Sequence, residues 1–253
     1  MKEKSQQKPG ITYEKETLRL IGLSDGLFAT VLTLLVLDLK IPDLISPGAG
    51  NIGAFIKWIG PHLFSYLLTF LVAGTYWQAH HRDFDLIIHI DRRLLGYNLI
   101  FLLFVGLLPF STAAISLLGS RNGIYPFYWA IYSANIIFAG VLLTLTWGYA
   151  VSHDFIDQSI KPKQSRYITL RHLVTPLIFL ISILMEYLFP QAFLGAFTLW
   201  LIPFGLRWVD HLYAEQDNEG TSTKPARSEI LWQLGSFLPW GIMIGLAVWA
   251  MTY

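Results

Sequence analysis

The chain has 253 residues and a mean hydropathy of +0.49; 54% of its residues are hydrophobic, and only 14% are charged. This charged share is about half that of soluble domains, which excludes a soluble protein of this length. A net charge of +1 without a basic patch outside the loops excludes a nucleic-acid partner. With no cysteine, the chain can form neither disulfides nor thiolate metal sites.

Long apolar runs, which need about 20 residues to cross a membrane, give the predicted helices in chain order. The six predicted spans are 20–41, 53–79, 94–118, 125–151, 169–188 and 191–209. A further apolar segment, 229–253, contains Pro239 and several glycines, so the sequence leaves open whether it crosses. We therefore predict an all-α membrane protein with six transmembrane helices and an uncertain seventh segment.

Lysine and arginine predict the orientation of these spans, because they are enriched in cytoplasmic loops. If the N-terminus is cytoplasmic, all but three of the 18 basic residues fall on the cytoplasmic side. The three on the opposite side are Lys40, Lys57 and Arg121. This strong asymmetry predicts a cytoplasmic N-terminal tail and supports the six-span count.

One face of the first predicted helix combines threonine with aliphatic residues. By helical spacing, this face contains Thr30, Thr33, Leu34, Leu37 and Ile41. The face fits a helix–helix contact with interhelical hydrogen bonds. It equally fits a pore wall, in which hydroxyl rings replace part of an ion's hydration shell and a leucine ring closes the pore by dewetting. Asp38 and Asp43 follow at the outer end, where carboxylates would concentrate cations.

Polar residues cluster at the predicted cytoplasmic ends of the first three spans. They are Arg19, Ser24, Asp25, Trp77, His80, His81 and Asn98. An Arg or Asp near the bilayer centre costs about 2.5–3.5 kcal/mol on insertion scales, so ionisable groups built into a span are expected to have partners. We expect these side chains to satisfy one another. The alternative for Arg19 is a simple anchor at the cytoplasmic interface.

The stretch from Arg19 to Asp25 resembles the Arg-x-x-x-Phe-Ser-Asp signature of the transmembrane protein 175 family of potassium-permeable channels, with Leu23 in place of Phe. Trp77, Asn98 and the run Leu108-Pro109-Phe110 extend the resemblance over about residues 15–118. The resemblance implies that the first helix of each subunit lines the pore. It implies a constriction at Thr30, Thr33, Leu34 and Leu37, and a structural role for Arg19, Ser24 and Asp25.

The resemblance also implies the assembly and the location. Single-repeat members of this family form fourfold channels, and a chain with one pore-facing helix needs cyclic assembly to enclose a pore. We therefore predict a homotetramer in the plasma membrane of a bacterium, passing potassium passively with moderate preference over sodium. The predicted regions are a tail 1–17, a channel domain 18–118, spans 4–6 within 119–213, a polar linker 214–228 and the segment 229–253.

Two other classes of function were weighed against a channel. His80, His81 and His89 with Asp83, Asp85 and Asp91 contain the ligand types of a metal-dependent membrane enzyme. The chain has no His-Glu-x-x-His motif and no repeated histidine clusters, so we predict no enzyme, metal or cofactor. A proton-coupled transporter stays the alternative, since intramembrane His and Asp can relay protons.

Overall fold

The computed structural model describes residues 9–39, 52–116, 125–189, 198–199 and 201–217. The helices of this described part are α1 (Pro9–Leu34), α2 (Ile52–Leu86), α3 (Arg92–Gly106), α4 (Leu108–Ser116), α5 (Tyr125–Ser152), α6 (Pro162–Leu188) and α7 (Leu201–Asp217). A short 3₁₀ turn, Leu35–Asp38, continues α1. Ile87 and Ile156 form an isolated bridge between the segments that follow α2 and α5.

Four stretches of the described chain are long and apolar enough to cross a membrane: Thr17–Leu37, Arg92–Ser116, Pro126–Ser152 and Pro162–Leu188. They confirm the prediction of an almost entirely helical, membrane-spanning protein. The count of six spans and the orientation of the N-terminus stay predictions. The segment 229–253 and the residues Ile41 and Asp43 lie outside the described part of the chain.

Several helices differ in extent from the predicted spans. The third span is divided at Leu107, because Pro109 has no N–H to continue the helical ladder and its ring crowds the preceding turn. α2 continues past residue 79 to Leu86, and α6 begins at Pro162 in the predicted loop before 169. Proline is favoured in a first helical turn, since the N–H that it lacks would be unpaired there. α7 continues to Asp217, inside the predicted linker.

The core lies where α5 packs against α3, α4 and α6. Its largest fully buried side chains include Trp129, Tyr132 and Phe179. Polar contacts join α5 to α6 and to α2: the Trp129 indole N–H donates to Ser182 Oγ at 2.8 Å, and Thr69 Oγ1 lies 3.1 Å from the Tyr132 hydroxyl. In a bilayer, tight packing and interhelical hydrogen bonds of this kind hold helices together.

Among the glycines that the structure describes, Gly140 on α5 is the one most closely approached by other side chains. A Cβ added there would lie 2.7 Å from the Tyr76 hydroxyl oxygen and would also overlap the ring of Pro176. Gly148, on the same helix, has nothing within 4 Å of the equivalent position. Only a residue without a side chain therefore lets α5, α2 and α6 meet at position 140.

Gly140→Ala is expected to destabilise the protein by about 1–3 kcal/mol, because the added methyl overfills a tightly packed contact. Gly148→Ala is the matched control and is expected to be neutral or to stabilise the helix by up to about 1 kcal/mol. Thermal unfolding of both purified variants in one detergent checks this expectation. Equal unfolding midpoints would show that α5 can move away from Pro176 at little cost.

Candidate functional site

A polar cluster joins α1, α2 and α3 at one end of the bundle. The Trp77 indole N–H donates to Asp25 Oδ1 at 2.9 Å. His80 Nε2 lies 2.8 Å from Asn98 Oδ1, and the Asn98 amide donates to Ser24 Oγ at 3.4 Å. Five of the seven residues predicted for this cluster are thus in contact across three helices. The hydrogen bonds fix where α1 lies against α2 and α3.

The side chains at the centre of this cluster are buried. Ser24, His80 and Asn98 are buried, and the His80 ring stacks on Phe84 and Phe101 with centroids 4.4 and 5.4 Å apart. A buried polar group is costly unless its hydrogen bonds are made, so the three side chains depend on one another. The Ser24 hydroxyl itself donates to the Leu20 carbonyl within α1 at 2.9 Å.

Arg19 and His81, the other two predicted members, lie at the edge of the cluster. Arg19 is exposed and has neither a hydrogen bond nor an ion pair with any described residue. It stands about 120° around α1 from Asp25, so the two side chains do not pair. His81 stacks on Trp77 with centroids 5.7 Å apart, and its Nε2 lies 3.9 Å from the Asp85 carboxylate.

The two faces of α1 differ sharply in burial. One face packs into the chain through Leu20, Ser24, Phe28, Val31 and Leu35. The predicted pore residues Thr30, Thr33, Leu34 and Leu37 lie on the other face and are all exposed. Ile41 and Asp43 lie outside the described residues, as does the side chain of Asp38. The chain therefore covers one face of its first helix and leaves the predicted pore face open.

The hydroxyl groups of the exposed Thr30 and Thr33 donate hydrogen bonds within α1 itself. Thr30 Oγ1 donates to the Gly26 carbonyl and Thr33 Oγ1 to the Thr30 carbonyl, both at 2.8 Å. Because each proton is used within the helix, the remaining lone pairs of each oxygen are available to an outside partner. These two oxygens can accept a hydrogen bond or contact a cation.

Asp91, one of the histidines and aspartates with metal-ligand chemistry, has a structural role. In the part of the chain that the structure describes, no group of three or more His, Asp or Glu could hold a metal ion. Asp91 caps α3, accepting from the Leu94 N–H at 2.7 Å and from the Tyr149 hydroxyl at 2.7 Å. Partial desolvation is the largest influence on the pKa of Asp91 and raises it, but these hydrogen bonds outweigh it and leave the pKa below its usual value.

A second polar group, which the sequence did not indicate, joins α2, α6 and α7. His172 Nε2 lies 3.2 Å from Asp83 Oδ2, and both side chains are 3% exposed. Beside them, Arg171 pairs with Asp210, which also accepts a hydrogen bond from the Tyr167 hydroxyl at 2.7 Å. The one available signal was Asp83 itself, a carboxylate one turn beyond His80.

Comparison with known proteins agrees with this architecture. The family model described as the endosomal/lysosomal potassium channel TMEM175 matches residues 19–109. A potassium channel of Streptomyces collinus is 37% identical over 101 residues, which are 40% of this chain and 48% of that protein. A potassium channel of a Chryseobacterium species is 25% identical over 190 residues, covering 73% of this chain and 92% of that protein.

A solved structure shares the fold. It is the crystal structure of a lysosomal potassium-selective channel TMEM175 homolog from Chamaesiphon minutus, with a TM-score of 0.63 and 21% identity. The match covers 81% of this chain and 99% of that chain. Apolar helices joined by buried polar contacts define a multi-pass integral membrane protein. The chain is therefore similar to TMEM175 channels over residues 19–109 and shares the fold of a TMEM175 homolog.

Proposed function

We propose that this chain is one subunit of a potassium-permeable cation channel whose pore is lined by α1. The observation that carries the proposal is the open face of α1, on which Thr30, Thr33, Leu34 and Leu37 are exposed while the opposite face is buried. A single chain offers one such face and cannot enclose a pore with it. Cyclic assembly would bring equivalent faces together around an axis.

We propose that four subunits assemble around the pore. The TMEM175 resemblance supports a homotetramer, with the channel domain 18–118 nearest the axis and the helices beyond it at the periphery. The contacts among Ser24, Asp25, Trp77, His80 and Asn98 support the role assigned to them, since they hold α1 against α2 and α3. Arg19 is free of that network and is available to a neighbouring subunit.

The chemistry of the α1 face supports passive conduction of monovalent cations. The outward lone pairs of the Thr30 and Thr33 hydroxyls can replace part of the hydration of potassium, and leucine rings form a narrow, poorly wetted constriction. The chain has no Thr-Val-Gly-Tyr-Gly filter of backbone carbonyls. Selectivity for potassium over sodium would therefore come from side chains and be moderate.

Purified protein reconstituted alone into liposomes is expected to dissipate a potassium gradient without a proton gradient or a second substrate. Potassium flux is measured with and without a protonophore, and matched sodium gradients give the selectivity. Protein-free liposomes are the control. Potassium flux that depends strictly on a proton gradient would show that the protein is a proton-coupled transporter and not a channel.

A further inference from the structure

The buried pair of Asp83 and His172 has no role in the pore described above. It bridges α2 and α6, and both side chains are 3% exposed. Among the described residues, the second ring nitrogen of His172, Nδ1, has no hydrogen-bond partner. A buried ion pair contributes little net stability, so the pair needs an explanation beyond packing.

Two cavities border His172, and the larger one is also lined by Asp83. A cavity of about 310 Å³ is lined by Asp83, Asp85, Tyr167 and His172. A smaller cavity of about 40 Å³, lined by Thr75, Tyr76, His172 and Thr175, lies next to it. Since a water molecule occupies about 30 Å³, the first cavity holds several and the second about one. His172 lines both cavities.

The charged groups around His172 are three carboxylates and two guanidinium groups. α2 contributes the Asp83 carboxylate and the Arg82 guanidinium, with Asp85 on the cavity wall. α6 and α7 contribute Arg171, paired with Asp210, and the Tyr167 hydroxyl. The residue that α5 contributes beside His172 is the apolar Leu143. A proton added to His172 therefore finds Asp83 as its nearest counter-charge.

Helix α2 connects the pair to the pore helix. Asp83 is one turn beyond His80, which contacts Asn98, and two turns beyond Trp77, which donates to Asp25 on α1. These residues belong to one continuous helix, Ile52–Leu86. A change in how tightly α6 holds Asp83 therefore acts on the same helix that positions α1.

We propose that Asp83 and His172 form a proton-binding site in each subunit, through which acid strengthens the link between α2 and α6 and alters conduction. The proposal rests on the channel function proposed above for its effect on flux, but not for the binding of the proton. The site lies within the subunit and away from the pore face of α1.

The chemistry is a simple protonation. In the neutral imidazole, Nε2 carries the proton and faces the carboxylate, and Nδ1 has a free lone pair. Protonation at Nδ1 produces an imidazolium, so the 3.2 Å contact between Nε2 and the Asp83 carboxylate becomes a charged pair. Histidine is the side chain whose charge ordinarily changes between about pH 5 and 8, which sets the range for the response.

The test compares wild type with His172→Gln at about pH 5.5 and pH 8. Gln keeps a donor toward Asp83 but gains no charge. Wild-type potassium flux is expected to differ between the two pH values by about fivefold or more, as ligand coupling between sites commonly does, whereas His172→Gln should show the same flux at both. The unfolding temperature of wild type relative to this variant should rise as the pH falls.

Two further variants sharpen the result. His153→Gln alters an exposed histidine in the turn after α5 and should keep the wild-type pH response. Asp83→Asn removes the counter-charge with little change of shape, so the response should be lost at pH 5.5. Co-elution of all variants with wild type at pH 8 shows that they are folded.

The outcomes separate this inference from the proposed function. If wild type carries no potassium at either pH, the channel proposal fails, and the pH dependence of unfolding still decides whether the site binds a proton. If wild type conducts and His172→Gln retains its full pH dependence in flux and unfolding, the proton site is wrong and the channel proposal stands. Loss of the pH response in His153→Gln, with the response retained in His172→Gln, would place the sensor in the turn after α5.

Discussion

Leu34→Ala, present in every subunit, is expected to raise potassium flux roughly fivefold, the effect of lowering a barrier by about 1 kcal/mol. The physical reason is that a smaller side chain widens each contribution to a leucine ring and eases its wetting. Leu34 is 44% exposed in the subunit, so the change leaves little cavity in the core and should hardly affect folding. Flux in liposomes containing equal amounts of protein measures the effect, and Leu37→Ala should act in the same direction.

The control for this experiment has to be exposed but away from the α1 face. Leu103 on α3, which is 59% exposed, meets both conditions, so Leu103→Ala should leave flux unchanged. Leu35 does not serve, because it is 1% exposed and its truncation is expected to cost about 2–5 kcal/mol of stability. If the Leu34→Ala protein is folded and has wild-type flux, Leu34 is not part of the constriction.

Asn98→Ala is expected to destabilise the subunit and weaken its assembly. The change leaves the buried His80 Nε2 without its partner and takes the amide donor from Ser24. Each buried polar group left unsatisfied costs about 1–3 kcal/mol, so the total is a large part of the stability of a domain. We expect a lower unfolding temperature, weaker assembly of the proposed tetramer on size-exclusion chromatography and reduced potassium flux.

Asp25→Asn is the matched mild variant. It keeps an oxygen that can accept from the Trp77 indole, and position 25 is only partly buried, so the expected cost is below about 1 kcal/mol. The pair of variants distinguishes the buried hydrogen bonds from the peripheral one. If Asp25→Asn proved as damaging as Asn98→Ala, the charge at position 25 would matter more than the contact to Trp77 explains.

Much of the polar cluster could be predicted from sequence because its members share a membrane depth. Ser24, Trp77, His80 and Asn98 fall at the same predicted end of three neighbouring spans, where unsatisfied polar groups would be costly. The sequence could not tell that Arg19 stays outside the cluster, since six residues of helix turn it away from Asp25. That separation depends on how α1 is rotated against α2 and α3, which hydropathy does not encode.

The ends of the helices and the second polar group were less accessible to sequence reasoning. Hydropathy averaged over a window ignores the break at Leu107, although Pro109 gives its cause. The partnership of Asp83 with His172 requires that α6 pack beside α2, and residues so distant along the chain carry no local sign of each other. His172 also falls near the start of the predicted fifth span, where a polar residue attracts little notice.

The open face of α1 has a consequence for cells that make two versions of this protein. In the proposed assembly, each subunit contributes one α1 helix to the wall of the pore, and no subunit contributes a second one. A variant that folds and assembles but carries a defective α1 face would enter most mixed rings. Its effect would then be dominant, and activity would fall faster than the share of normal chains, whereas a variant that cannot assemble would leave the normal rings intact.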